Sequence, residues 1–285
     1  MADEIPQATP EVLPISTSFA IPAPVVNWVI AFVAALAIFL VVQLFWKQKR
    51  SKGDSLLLVG PSDSGKTALF SKLVYGKSTP TNTSLQTNVS YANPTVTKPL
   101  RIIDVPGHPR IRGQLTEYLP QAKTVAFVVD SNTISRTGVA AAEHLHQIIH
   151  AITSLPPSQT APSIVILCNK ADLLKTSASS GSAESLAVIR VKTVLERELE
   201  KRRSAQSGGV NVEGLGEEGE RMELGGLECG DGNAPFRFED WEGGEITFLG
   251  TSVRPGSSEE KAELDEKSEG TGGLSGLLEW LEENF

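Results

Sequence analysis

Two glycines, a lysine and a hydroxyl stand at fixed spacing in Gly60-Pro61-Ser62-Asp63-Ser64-Gly65-Lys66-Thr67, a run of the form G-x-x-x-x-G-K-[ST]. Such a run binds phosphate, because glycines let the backbone wrap closely and successive N–H groups then point at one anion. Lys66 is placed to reach the β- and γ-phosphates of a nucleotide, and the Thr67 hydroxyl to ligate Mg²⁺. Ser62, Asp63 and Ser64 in the loop, and Ala68 just after it, complete the expected phosphate-binding set. The cradle alone does not distinguish adenine from guanine.

Asn169-Lys170-Ala171-Asp172 makes that distinction. The Asp172 carboxylate can accept from guanine N1–H and the 2-amino group, two donors that adenine lacks. A buried carboxylate left unpaired is costly enough to discriminate by on the order of 10⁴-fold. Asn169 can brace the neighbouring loop and face the N7 edge of the purine, while the Lys170 stem covers the ring. Ser252 and Val253, in Thr251-Ser252-Val253, are the expected third wall, with backbone amides directed at guanine O6.

These groups need a mostly parallel α/β sheet flanked by helices, in which ligands bind beyond the carboxyl ends of the strands. The sequence supplies one. SLLLVG (55–60), LRIID (100–104), TVAFVVD (124–130), SIVILC (163–168) and EITFLGTS (245–252) read as strands. Helical spacing covers the segment after the phosphate loop through Leu73, Gly138 to Thr153, Ser182 to Arg203, and the closing LSGLLEWLEENF. Residues 204–240 are rich in Gly and Glu without a sustained apolar period, the composition of a disordered insertion. A second acidic Gly/Ser-rich loop covers 254–273.

Ahead of this domain, residues 25–46 carry no charge and are long enough to cross a hydrocarbon core of about 30 Å as one helix. Trp28 and Trp46 stand near its ends, where interfacial aromatics are favoured. Lys47, Lys49, Arg50 and Lys52 follow, in a basic juxtamembrane linker at 47–54, whereas residues 1–24 contain no Lys or Arg. That bias predicts a single-pass anchor with a short lumenal N-terminus and residues 55–285 in the cytosol. A cleaved secretory signal would want a basic n-region and a shorter apolar stretch.

Taken together, GPSDSGKT (60–67), TNTS (81–84), DVPGH (104–108), CNKAD (168–172) and FLGTSV (248–253) resemble the Ras-like P-loop GTPases across about 55–285. With the N-terminal span and the long insertion before the last strand, they resemble above all the β subunits of the signal recognition particle receptor. The resemblance implies a GTP/GDP- and Mg²⁺-binding switch at the endoplasmic reticulum membrane. Loaded with GTP, it would hold the receptor α subunit there for co-translational targeting, in reach of the ribosome or translocon. It also implies that Asp104 holds Mg²⁺ through water, that Gly107 offers its N–H to the γ-phosphate, and that Thr83, in preference to Thr81, meets Mg²⁺ from the other side. Loss of the γ-phosphate would release both loops. His108 stands where Ras-like proteins carry a glutamine that orients water. A neutral imidazole can accept from water, and it can equally point outward to a partner. Ser62 replaces a glycine that many relatives need for efficient hydrolysis, so turnover is expected to be slow.

The totals agree with this reading. The 285 residues carry a net charge of −8, which argues against direct nucleic-acid binding through a basic field. The two cysteines, Cys168 and Cys229, suit neither a disulfide framework nor a metal cage. Two other outcomes stay open at this level: an Arf-like trafficking GTPase on another membrane, and an anchor locked on GTP without turnover.

Overall fold

A computed structural model describes residue 36 and residues 53–78, 80–92, 99–175, 182–207, 225–229, 235–253 and 273–285. The chain divides into two units, Met1–Lys49 and Arg50–Phe285. The apolar run at 25–46 lies outside the described residues apart from Leu36, as do the segment 1–24 and most of the basic linker. Among the described residues, no helix is long and apolar enough to cross a membrane.

In the second unit the elements run β1 (Ser55–Val59), α1 (Lys66–Tyr75), β2 (Asn88–Ala92), β3 (Leu100–Asp104), α2 (Leu115–Tyr118), β4 (Ala122–Asp130), α3 (Ile134–Thr153), β5 (Ser163–Asn169), α4 (Ala183–Ser207), β6 (Ile246–Gly250) and α5 (Ser275–Asn284). The sheet order is β2-β3-β1-β4-β5-β6, parallel throughout except for β2, which pairs antiparallel with β3 at one edge. Strand alternation sorts the core into two layers. Leu57, Val59, Phe127 and Ile166 face one side, packed with Leu145, Ile148 and Ile149 of α3 and Val191 and Leu195 of α4. Leu56, Leu58, Val128 and Leu167 face the other, packed with Leu69 of α1 and Leu277 and Leu281 of α5. Helices on both faces explain why these strands read as continuous apolar runs.

Three features depart from the sequence reading. Helix α3 begins at Ile134 rather than Gly138. Asp130 Oδ1 accepts the Asn132 and Thr133 N–H groups at 2.9 and 3.2 Å, and this turns the chain early. Strand β2 is absent from the sequence reading: Val89 and Tyr91 alternate with Asn88 and Ser90, but the run is only five residues long, and at the sheet edge both apolar side chains are exposed. The 204–240 stretch is not uniformly an insertion without core contacts. Residues 204–207 continue α4, while Leu227, Phe236 and Phe238 are buried in the α3–α4 layer with the adjoining Trp241. Glu200 and Glu196 on α4 accept the Phe236 and Phe238 N–H groups at 2.7 and 3.3 Å, and Trp241 Nε1 donates to Gly226 O at 2.8 Å. A few large apolar side chains dock both ends there, against a composition dominated by Gly and Glu. Residues 208–224 and 230–234 lie outside the described residues.

Candidate functional site

The loops after β1, β3, β5 and β6 converge at the carboxyl end of the sheet, where the phosphate loop and the loop after β5 share a cleft of about 660 Å³. That size suits a small-molecule ligand. Its lining brings together Ser62, Asp63, Gly65, Lys66, Thr67, Ala68, Thr83, Gly107, Asn169, Lys170, Asp172 and Val253. These residues come from parts of the chain more than 100 positions apart. Gly60 and Ser64 shape the loop rather than the lining; Ser64 is buried. Pro80, Asn82 and Leu173 also line the cleft, and sequence reasoning had no signal for them. Thr81 lies there too.

The phosphate loop is held by its neighbours. Asn169 Nδ2 donates to Ser64 O at 2.8 Å in a buried bond across 105 residues. At Gly65, φ is +91°, and a Cβ would come within 2.3 Å of that same Asn169 amide, so only glycine leaves room for the brace. Gly107 is equally constrained, since a Cβ there would strike Gly60 O at 2.4 Å and Ser62 N at 2.7 Å. Lys170 is itself left-handed, with φ of 59°, and its ammonium donates to Asp63 O at 2.6 Å and pairs with Asp130 Oδ2 at 2.8 Å. Burial pushes the Asp130 carboxyl up, but the Lys170 bond and charge, with two backbone N–H groups, outweigh it and hold the carboxyl below its usual range. Asp130, at the end of β4, was legible as a strand end but not as the anchor of Lys170.

The third wall differs from expectation at one residue. The Ser252 N–H donates to Gly273 O at 2.8 Å, so its amide is engaged away from the cleft, whereas Val253 lines it. Thr251, fully buried, does the bracing: its N–H donates to Cys168 O, its carbonyl accepts from Ala171 N, and its hydroxyl donates to Asn169 Oδ1 at 3.4 Å.

At the other end of the cleft, Lys66 is buried and donates to Pro61 O at 2.8 Å. Burial pushes its ammonium down to about 8, against the pull of Asp104 and Asp63. Asp104 is wholly buried. Burial pushes its carboxyl up, opposed by the Thr67 hydroxyl bond, the Lys66 charge and the Asn88 amide. Asp104 Oδ2 accepts from Thr67 Oγ1 at 2.8 Å and from Asn88 Nδ2 at 3.4 Å, while Oδ1 has no hydrogen-bond partner among the described residues. A buried ammonium, an orphaned carboxylate oxygen and glycines packed against backbone fit a phosphate chain with a divalent cation. Lys66 and the loop N–H groups would hold the phosphates, with Thr67 and Asp104 on the cation side. The expected Thr83 is at the cleft, but its hydroxyl donates to Asp63 Oδ1 at 3.3 Å; Ser84 is the residue at Thr67.

His108 does not join the cleft lining; it is exposed, and Nδ1 accepts the Arg110 N–H at 3.3 Å. A neutral imidazole has one acceptor nitrogen, and here that nitrogen faces its own backbone.

Residues 51–242 match the sequence model of the family described as signal recognition particle receptor beta subunit. A human protein named signal recognition particle receptor subunit beta is 37% identical over 186 residues, covering 63% of this chain and 64% of the relative. Its mouse counterpart is 34% identical over the same extents. The match therefore spans just under two thirds of the length of these relatives. A solved structure of the mammalian SRP receptor aligns with a TM-score of 0.59 at 26% identity, covering 81% of this chain and 100% of that one.

Proposed function

Since this chain belongs to the signal recognition particle receptor β-subunit family, we propose that it is a guanine-nucleotide switch whose main output is binding the receptor α subunit. The cleft takes GTP or GDP with Mg²⁺, and the GTP form holds the α subunit at the endoplasmic reticulum membrane for co-translational targeting. The ribosome or translocon lies within reach of the assembly. The uncharged run at 25–46 and the basic cluster after it support a single-pass anchor with a lumenal N-terminus.

One observation carries the nucleotide reading. The buried bond from Asn169 to Ser64 O fastens the guanine-reading loop to the phosphate loop, so base and phosphates are gripped as one ligand. Asp172 at the same cleft supplies the carboxylate that reads guanine. Turnover is slow, because His108, the residue expected to orient water, is exposed with Nδ1 turned to the Arg110 N–H. The same placement favours a second reading, an anchor that retains GTP without hydrolysis.

Full-length protein in detergent, loaded with GTP or GDP, tests the proposal by capture of the purified α subunit. Capture from the GTP form alone is the expected result, and equal capture from both would end the switch reading. Single-turnover phosphate release from the same samples separates slow hydrolysis from none.

A further inference from the structure

We propose that Arg112 is a positioning residue for GTP hydrolysis: its guanidinium latches the loop after β3 to helix α3 and so holds His108 out of the cleft. This rests on the nucleotide-switch reading and gives its slow turnover a structural cause. Gly107 lines the cleft against the phosphate loop, so His108 is attached one residue from it. Its ring nevertheless faces solvent, with Nδ1 accepting the Arg110 N–H at 3.3 Å. The cause lies in the turn that follows. The Ile111 and Arg112 N–H groups both donate to His108 O at 3.0 Å, which makes residues 108–112 one unit. That unit cannot swivel without carrying Arg112 along.

Arg112 is fastened to α3. A terminal nitrogen of its guanidinium donates to Gln147 Oε1 at 3.2 Å and stands 3.9 Å from Glu143 Oε1, and the side chain is only 14% exposed. Glu143 is shared, since its other oxygen meets Arg202 of α4 at 3.4 Å, so the latch is set on a packed helix pair. On the opposite flank, Thr87 Oγ1 donates to Gln114 Oε1 at 2.8 Å and ties the segment before β2 to the same short turn.

This latch can open. Arg112 Nε is buried with no hydrogen-bond partner among the described residues, a standing cost that release into water would recover. Freed, the turn can carry the neutral imidazole to the water that attacks the γ-phosphorus, and hold that water by accepting a hydrogen bond from it. The water oxygen bonds to phosphorus while the bond to the bridging oxygen breaks, and that oxygen leaves on GDP with the electron pair. Both water hydrogens depart with the phosphorus as dihydrogen phosphate, so the imidazole orients the water and gains no net proton.

The test is single-turnover phosphate release from full-length protein in detergent, loaded with GTP and freed of excess nucleotide. Arg112→Ala is expected to raise the rate about tenfold. Arg112→Lys, which keeps one donor for Gln147, is expected to bring it back toward the parent. Adding His108→Ala to Arg112→Ala is expected to remove the rise, to within about twofold of the parent. Gln147→Ala removes the acceptor instead and is expected to raise the rate in the same direction, so it decides the matter where Arg112→Ala does not fold. No rise in either single variant, an equal rise in Arg112→Lys, or a rise that survives loss of His108 overturns the assignment. A parent protein that retains no GTP at all would sink the nucleotide reading itself, a result distinct from all of these.

Discussion

The two ends of the cleft are built differently. At the base end, Asn169, Lys170, Asp130 and Thr251 tie the loops after β1, β4, β5 and β6 together, and Asn169 and Thr251 are buried. At the cation end, residues 80–87 reach the phosphate loop through Thr83 and Ser84, and Thr83 is exposed. Buried bonds in a packed site resist opening, whereas exposed ones open at small cost. One end is a fixed template, the other a segment that a ligand can recruit. The proposed switch would need both: a template to keep the nucleotide, and a recruitable segment to report its state.

The largest expected effect strikes the template. Asp172→Asn should weaken GTP binding by on the order of 10³–10⁴-fold, because the amide cannot accept from both guanine donors. Xanthosine triphosphate, with a carbonyl at C2, should recover binding, and equilibrium titration with both nucleotides checks it. Unchanged GTP affinity would remove the base end from that position altogether.

Asn169→Ala sharpens the contrast between the ends. It leaves Ser64 O without its buried donor and should cost about 2–3 kcal/mol in unfolding free energy. Denaturant titration reads this directly. A cost near zero would mean that the template is no more rigid than the switch segment.

The smallest effect lies beneath the cleft. His144 on α3 is 3% exposed, edge-on to Phe127 at 5.7 Å between ring centres. Burial pushes its imidazole down to about 3, and the nearby Arg112 and Lys66 charges add to that. The unfolded chain takes up this proton near pH 6.5, before the folded one does, so stability is full above that pH and falls as pH drops. Between pH 8 and 5.5 the loss from this residue is about 1.4 kcal/mol. His144→Leu should flatten the pH dependence by that amount. An unchanged slope in denaturant midpoints would show that the proton uptake lies elsewhere.

Local chemistry made much of the site legible. A phosphate loop needs its glycines, lysine and hydroxyl within eight consecutive residues, so Gly60 to Thr67 announce themselves. The fully buried strands did the same, because helices on both faces require unbroken apolar runs. Edge strand β2 stayed hidden because two apolar positions in a five-residue run are too short a pattern to separate a strand from a loop. The bracing roles of Asp130 and of Thr251, which the sequence places in the third wall, stayed hidden because nothing in their neighbourhood distinguishes a brace from an ordinary strand end.

By itself, then, the sequence determined which groups are available: a glycine-rich run with a lysine and a hydroxyl, and the carboxylates of Asp172 and Asp104, each near the carboxyl end of a strand. Tertiary structure alone decided which of several adjacent candidates faces inward. It set Val253 at the cleft while Ser252 pairs with Gly273, Ser84 at Thr67 while Thr83 meets Asp63, and His108 outside. The physical reason is one of range. Residue type and spacing act over a turn or a strand, but the direction of a loop side chain depends on partners brought close only by the folded sheet.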